Sequence, residues 1–170
     1  KPTEVFDLWV QNKFDTKYTL ELLESIIVIF GEGYRIWGRF KDYYEAEIYD
    51  VNNVLIEAYS VRDSGINKLL EKIQQIKGLG GLSYSTKMAR FFNNRYVVLD
   101  SILRDELNIT EGDYNTFFSL CLEIKTDLKN KFGIERNNSQ IESGIFAWIQ
   151  IINPEQKKKR WKKYRENFNC

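Results

Sequence analysis

An all-α fold is predicted from three features of the chain. Apolar residues recur at intervals of three and four in segment after segment, and only two prolines interrupt 170 residues. Hydrophobic residues at 43% and aromatics at 15% argue against disorder and are enough for a substantial core. Residues 1–156 therefore read as a single helical domain, with two helical lobes and a groove between them as the open alternative, followed by a basic tail or helix at 157–170.

The elements follow in order. Thr19 can cap a helix running to Phe30, on which Leu20, Leu23, Ile26, Ile27 and Phe30 share a face and which Gly31 and Gly33 end. From Lys41 to Tyr59, Ala46, Ile48, Val51, Leu55, Ile56 and Tyr59 fit a helix. Tyr-Glu-Ala-Glu-Ile-Tyr within it also alternates like a strand, and the segment is assigned as helix. Ser64 opens a cleaner segment, with Ile66, Leu69, Leu70, Ile73 and Ile76 at helical spacing and Lys77-Gly78 at its end. A glycine-rich hairpin comes next, then a helix that opens near Ser83 to Thr86. Beyond Asp100 lie a short helix to Leu107 and a longer one over Glu111–Phe132, capped by Thr110 and closed by Gly133. Ser139 can cap a last helix whose Ile141, Ile145, Trp148, Ile149 and Ile152 face inward until Asn153-Pro154 breaks it.

Composition removes several kinds of chemistry. The chain has no histidine, and its two cysteines, Cys121 and Cys170, offer no CxxC spacing, which excludes histidine-based triads, Cys-His dyads and most zinc sites. Catalysis must then rest on carboxylates, lysines, tyrosines or bound water, with a carboxylate as first candidate and neither metal nor cofactor expected. The longest apolar runs, such as Ile26–Phe30, are too short to cross a bilayer, and no apolar leader follows a basic start, so a cytoplasmic monomer is expected. Net charge is +1, but Lys157–Cys170 alone carries +6 and leaves −5 for the preceding 156 residues. A basic tail on a mildly acidic body points to polyanion contact, or to a solvated terminal helix.

The central segment Ile73–Leu107 holds the strongest signal. Gly78, Gly80 and Gly81 allow positive φ and close backbone approach, so Gly-Leu-Gly-Gly-Leu-Ser can form a tight turn whose amides point outward. The next helix would present its unpaired N–H groups and positive dipole end at the same place, with Lys87 nearby, and together they can hold a phosphate. It is neither a Walker loop, since no glycine immediately precedes Lys87, nor GxGxxG, since Ser83 stands where the last glycine belongs. The plainer alternative is that the glycines only connect two packed helices.

The segment resembles the helix-hairpin-helix and following acid of the DNA glycosylase superfamily that includes endonuclease III, the adenine-mismatch enzymes and, nearest to this chain, the 8-oxoguanine glycosylases. The resemblance covers residues 73–107 of 170. It makes Val97-Val98-Leu99 the apolar run and Asp100 the catalytic acid. The hairpin admits two registers. One takes Gly81-Leu82-Ser83-Tyr84 as the hairpin. The other counts back from Lys87-Met88-Ala89, takes Ser83-Tyr84-Ser85 as the hairpin, and makes Lys87 a match to the nucleophilic lysine of bifunctional members. Serine in place of a hairpin glycine requires a backbone without strongly positive φ. The four-cysteine iron–sulfur pattern of some relatives is missing.

What the resemblance implies is a glycosylase that flips a base from duplex DNA and excises it. Gly78, Gly80, Gly81, Ser83, Tyr84, Ser85, Lys87 and Arg90 would contact DNA. Asp100 would stabilise the oxocarbenium-like state and activate water or an amine. Independently of the family, Asp100 precedes Ser101-Ile102 at a helix start that favours an ionised acid, and it can equally serve as the cap of that helix. Lys87 has three readings: phosphate contact, amine nucleophile, or exposed helix residue. A base needs an aromatic wall. Tyr34, Trp37, Phe40, Tyr43 and Tyr44, interleaved with Arg35, Arg39 and Lys41, offer one or else pack a core. Phe146, Trp148 and Gln150 correspond to the family's aromatic wall and base-reading amide, though on a helix Trp148 points away from Phe146 and Gln150. The substrate would be an oxidised purine or a modified base of phage DNA such as a bulky modified cytosine, the latter implying anti-phage defence. A non-catalytic hairpin module for DNA and a structural helical adaptor are the rival classes.

Overall fold

In the computed structural model, described over residues 1–110 and 113–153, all regular structure is helical, as predicted. Glu111, Gly112, Pro154 and the basic tail lie outside the described residues. The chain divides into two compact units, Lys1–Val98 and Leu99–Cys170.

The first unit contains α1 (Pro2–Gln11), α2 (Thr16–Glu24) with a wider, π-helical extension over Ser25–Phe30, α3 (Tyr34–Ala46), α4 (Ile48–Ser60), α5 (Ile66–Ile73) and α6 (Leu82–Phe92). Trp9, Leu22, Leu23, Ile26, Ile27, Leu55, Leu69, Ile73 and Met88 are fully buried in it. Its polar centre is Asn52, whose Oδ1 accepts from Trp9 Nε1 at 2.9 Å and from Thr19 Oγ1 at 2.7 Å. Asn52 Nδ2 donates to the Phe14 carbonyl at 2.9 Å. Every side-chain polar atom of Asn52 is thus used, as burial demands.

Several predicted details change. Thr19 is no cap but a buried interior residue: α2 begins earlier, where the Asp15 carboxylate accepts from the Lys17 N–H. The inward face is Leu22, Leu23, Ile26 and Ile27, with Leu20 and Phe30 only half-buried. The extension ends as predicted at Gly31 and Gly33, the Gly33 N–H reaching back to the Ile27 carbonyl at 2.7 Å. The helix expected over 41–59 is two helices broken at Glu47 (φ −107°, ψ 30°), which leaves Ala46 exposed and makes Tyr44, Val51, Asn52, Leu55 and Ala58 the buried set. α5 buries Ile66, Leu69, Leu70 and Ile73, and the fifth predicted residue, Ile76, is buried in the turn after it; Gly65 at φ +111° rather than Ser64 stands immediately before the helix.

α1 is an element that the periodicity did not reveal. Its Trp9 stacks on Phe92 at 5.9 Å, while Phe6, Phe14 and Tyr59 complete the aromatic cluster, so the main aromatic core of this unit is drawn from three distant segments: α1 with the turn after it, α4 and α6.

The second unit contains α7 (Ser101–Leu107), α8 (Tyr114–Phe132) and α9 (Asn138–Ile152), with α9 packed on both others. Leu103, Tyr114, Phe117, Cys121, Ile141, Ile145 and Ile149 are buried. Asp113, not Thr110, stands at the start of α8, and Gly133 at φ +66° closes it as predicted. Asn137 caps α9 in place of Ser139, in a reciprocal box with Gln140. Trp148 and Ile152, expected inward, are more than half exposed. Both lie close to the Ile141 stripe by helical angle, at about 100° per residue. Periodicity sets the angle around the axis but not how far a packing partner extends along it.

Candidate functional site

The hairpin is an eight-residue turn, Gln74–Gly81, between α5 and α6. Its glycines do different things. Gly78 sits at φ +91°, and a Cβ there would lie 2.6 Å from Phe40 Cδ2 and 2.7 Å from Tyr44 Oη, so the turn is seated on α3 by the lack of a side chain. The Tyr44 hydroxyl donates to the Lys77 carbonyl at 2.7 Å. Gly80 and Gly81, by contrast, do not adopt positive φ and are exposed; a Cβ at Gly80 would meet only the Gln74 carbonyl, at 3.9 Å, and one at Gly81 would meet open space. The outward turn expected of all three glycines is therefore confined to the last two.

Gly81 immediately precedes α6 and supplies no side-chain cap. The Tyr84 and Ser85 N–H groups bond the Gly81 carbonyl, so the helix opens on bare backbone beside two exposed glycines. That combination leaves amides and the positive helix end accessible to an anion.

The other candidate DNA contacts lie in α6, and of these Ser85 and Lys87 turn inward. Ser85 is fully buried, its hydroxyl donating to the Gly81 carbonyl at 3.1 Å. Ser83 and Ser85 both occupy right-handed helical backbone, so neither position needs glycine. Lys87 is buried, its Nζ donating to Ser83 Oγ at 2.9 Å and lying 5.0 Å from the centre of the Tyr84 ring, which differs from the exposed-residue reading. The Tyr84 ring packs on the Gly31–Gly33 turn, and the Arg90 guanidinium lies 5.2 Å from the Phe30 ring. Gly80, Gly81 and Ser83 are thus brought together at the open end of α6, while Gly78, Ser85 and Lys87 support it from within.

Among the α3 aromatics, Tyr34 is exposed at the first turn and Trp37 is half-buried, 5.9 Å from Tyr44. Phe40 and Tyr44 are committed to seating Gly78. Burial, and next the neighbouring Tyr43, hold the Tyr44 phenol well above its ordinary pKa. Arg35 and Arg39 are exposed, and Lys41 pairs with Glu45 at 3.5 Å.

In the second unit Asp100 is the first residue before α7, at the end of the buried run Val97-Val98-Leu99. Its Oδ1 accepts from the Leu103 N–H at 3.0 Å, so the capping role is realised. The carboxylate is half-buried and makes no other side-chain hydrogen bond among the described residues. α9 brings Phe146 and Gln150, both half-buried, while Trp148 lies on another side of the helix and is exposed. Gln150 Nε2 is buried with no hydrogen-bond partner among the described residues, an orphaned donor of the kind native structures rarely leave.

For Phe40 and Tyr44 the packing reading holds, but that they pack against the hairpin more than thirty residues away left no local signal in the sequence. Sequence reasoning also missed a basic cleft where α8 meets α9. Among the described residues no group of three or more His, Cys, Asp or Glu is arranged to hold a metal, and no helix is long and apolar enough to cross a membrane. The chain matches no protein-family model, no curated protein and no solved structure.

Proposed function

We propose that this protein is a DNA glycosylase of the helix-hairpin-helix type, which flips a base out of duplex DNA and cleaves its N-glycosidic bond with Asp100. The observation that carries the reading is the setting of that carboxylate: it closes a buried run and is fixed at a helix start through one oxygen. As the C1′–N bond breaks, its electron pair leaves with the base and positive charge grows on the sugar. A positioned carboxylate stabilises that charge and accepts a proton from the attacking water. The exposed glycines and uncapped start of α6 would hold the DNA backbone, and the unpaired Gln150 amide would read the edge of the flipped base beside Phe146. Tyr34 and Trp37 are further candidates for contacts with an unstacked base. The substrate is an oxidised purine or a bulky modified cytosine of phage DNA.

Lys87 carries a second reading, a bifunctional glycosylase/lyase. Burial and the Ser83 hydrogen bond hold its amine in one place, as a nucleophile requires. Duplexes carrying a panel of damaged and phage-type bases, incubated with protein and then treated with alkali, test both. Base loss in the wild type, with none in a still DNA-binding Asp100→Asn, is the expected result. If no substrate is nicked above the Asp100→Asn background, the enzyme reading fails and the non-catalytic module stands. Borohydride trapping of a covalent adduct, lost in Lys87→Gln, selects the amine over water.

A further inference from the structure

The end of α8 and the start of α9 enclose a cleft of about 380 Å³ lined by Lys125, Lys129, Glu135, Arg136, Asn137 and Gln140. Three cations face one acid. Lys125 is half-buried and anchored, its Nζ donating to the Oδ1 of buried Asn138 at 3.1 Å. Arg136 uses one guanidinium N–H on the Glu135 carbonyl at 2.8 Å, leaving most of its five donors for other acceptors. The one carboxylate, Glu135, sits 2.8 Å from Lys129, and that pairing holds its pKa below the ordinary value. Both partners are mostly exposed, at 65% and 76% of their side-chain surface, so the pair is weak and easily exchanged. The positive end of the fifteen-residue α9 points to the same corner.

We propose that this cleft is an oxyanion site that takes a phosphate group, with Glu135 as the internal occupant that the phosphate displaces. A phosphate offers more acceptor oxygens and more charge than one carboxylate, and it suits the fork of Arg136 together with two ammonium groups. The volume accommodates a phosphate with part of its carrier. The phosphate belongs either to a free monoester or to a nucleic-acid backbone. The proposal uses nothing of Asp100 and stands apart from the glycosylase reading.

Inorganic phosphate titrated into the full 170-residue chain, followed by amide NMR, is expected to shift the signals of residues 135–140. Glu135→Gln, an exposed change that spares the fold, should tighten phosphate several-fold, because the competing carboxylate is gone. Lys129→Gln with Arg136→Gln should weaken it by roughly tenfold or more. Duplex DNA at several salt concentrations supplies the second arm: if the backbone is the source, that double variant lowers the log–log salt slope by about 1 to 2. Phosphate binding with an unchanged slope assigns the site to a free phosphate ester. No shift at 135–140 with either probe, or weaker phosphate binding in Glu135→Gln, overturns the proposal.

Discussion

The Tyr44 hydroxyl donates to the Lys77 carbonyl at 2.7 Å, so a residue of α3 holds the turn between α5 and α6 from 33 positions away. The phenol must stay protonated to do so. Its pKa is raised in the folded state, first by burial and then by Tyr43. The stability tied to it is therefore fully present below the unfolded value of 10.0 and is lost as pH rises above it. Tyr44→Phe should cost about 1 kcal/mol at pH 7 through the lost hydrogen bond. It should also flatten the decline in urea midpoint above pH 10, and an equal decline in both proteins would refute this account.

The two kinds of hairpin glycine should respond in opposite ways. Gly78→Ala places a Cβ against Phe40 and Tyr44 at φ +91°, and it should destabilise by about 3 kcal/mol from strain and overpacking together. Gly81→Ser adds a cap where α6 has none and should stabilise by about 0.5 kcal/mol or less. The same serine would occupy amides that the proposed DNA contact needs, so duplex binding should weaken while the melting temperature holds or rises.

Asp100 separates structure from chemistry by choice of replacement. Asp100→Ala removes the acceptor for the Leu103 N–H and should cost about 1 kcal/mol. Asp100→Asn keeps an acceptor, so its denaturant midpoint should stay near wild type while base excision disappears. Excision surviving in Asp100→Asn would leave Asp100 with the cap alone.

Asn52→Ala should be among the most damaging single changes in the first unit. It strands the Trp9 indole N–H, the Thr19 hydroxyl and the Phe14 carbonyl in the interior, for a loss of about 3 kcal/mol. A shift in denaturation midpoint smaller than that of Gly78→Ala would mean that water enters and replaces the amide.

Cys121 should be chemically silent. Burial, then the nearby Glu142 carboxylate, push its thiol up to about 12. With Cys170→Ser in place, a thiol reagent at pH 8 should find no fast-reacting group until the protein is unfolded, when one appears.

Much of the helical framework was legible from residues a few positions apart. Four apolar residues of α5 at helical spacing, and Ile76 just beyond it, are all buried, Gly133 ends α8, and Asp100 stands before α7 after an apolar run. Caps were less legible, because several polar residues cluster near each helix start. Asp15, Asp113 and Asn137 stand where Thr19, Thr110 and Ser139 were equally eligible by type.

By itself, then, the sequence determined the helical class, the order of hairpin, helix and acid, and the exclusion of histidine chemistry, since these depend on composition and on a local period of 3.6 residues. Tertiary structure alone decided that Phe6, Trp9, Phe14, Tyr59 and Phe92 form the main aromatic core. It alone decided that Gly78 is packed while Gly81 is open, and that Lys87 lies inside. Those outcomes rest on contacts spanning dozens of residues, such as Trp9 to Asn52 and Tyr44 to Lys77. No local pattern records them, because a side chain's angle on its helix says where it points and not what stands opposite.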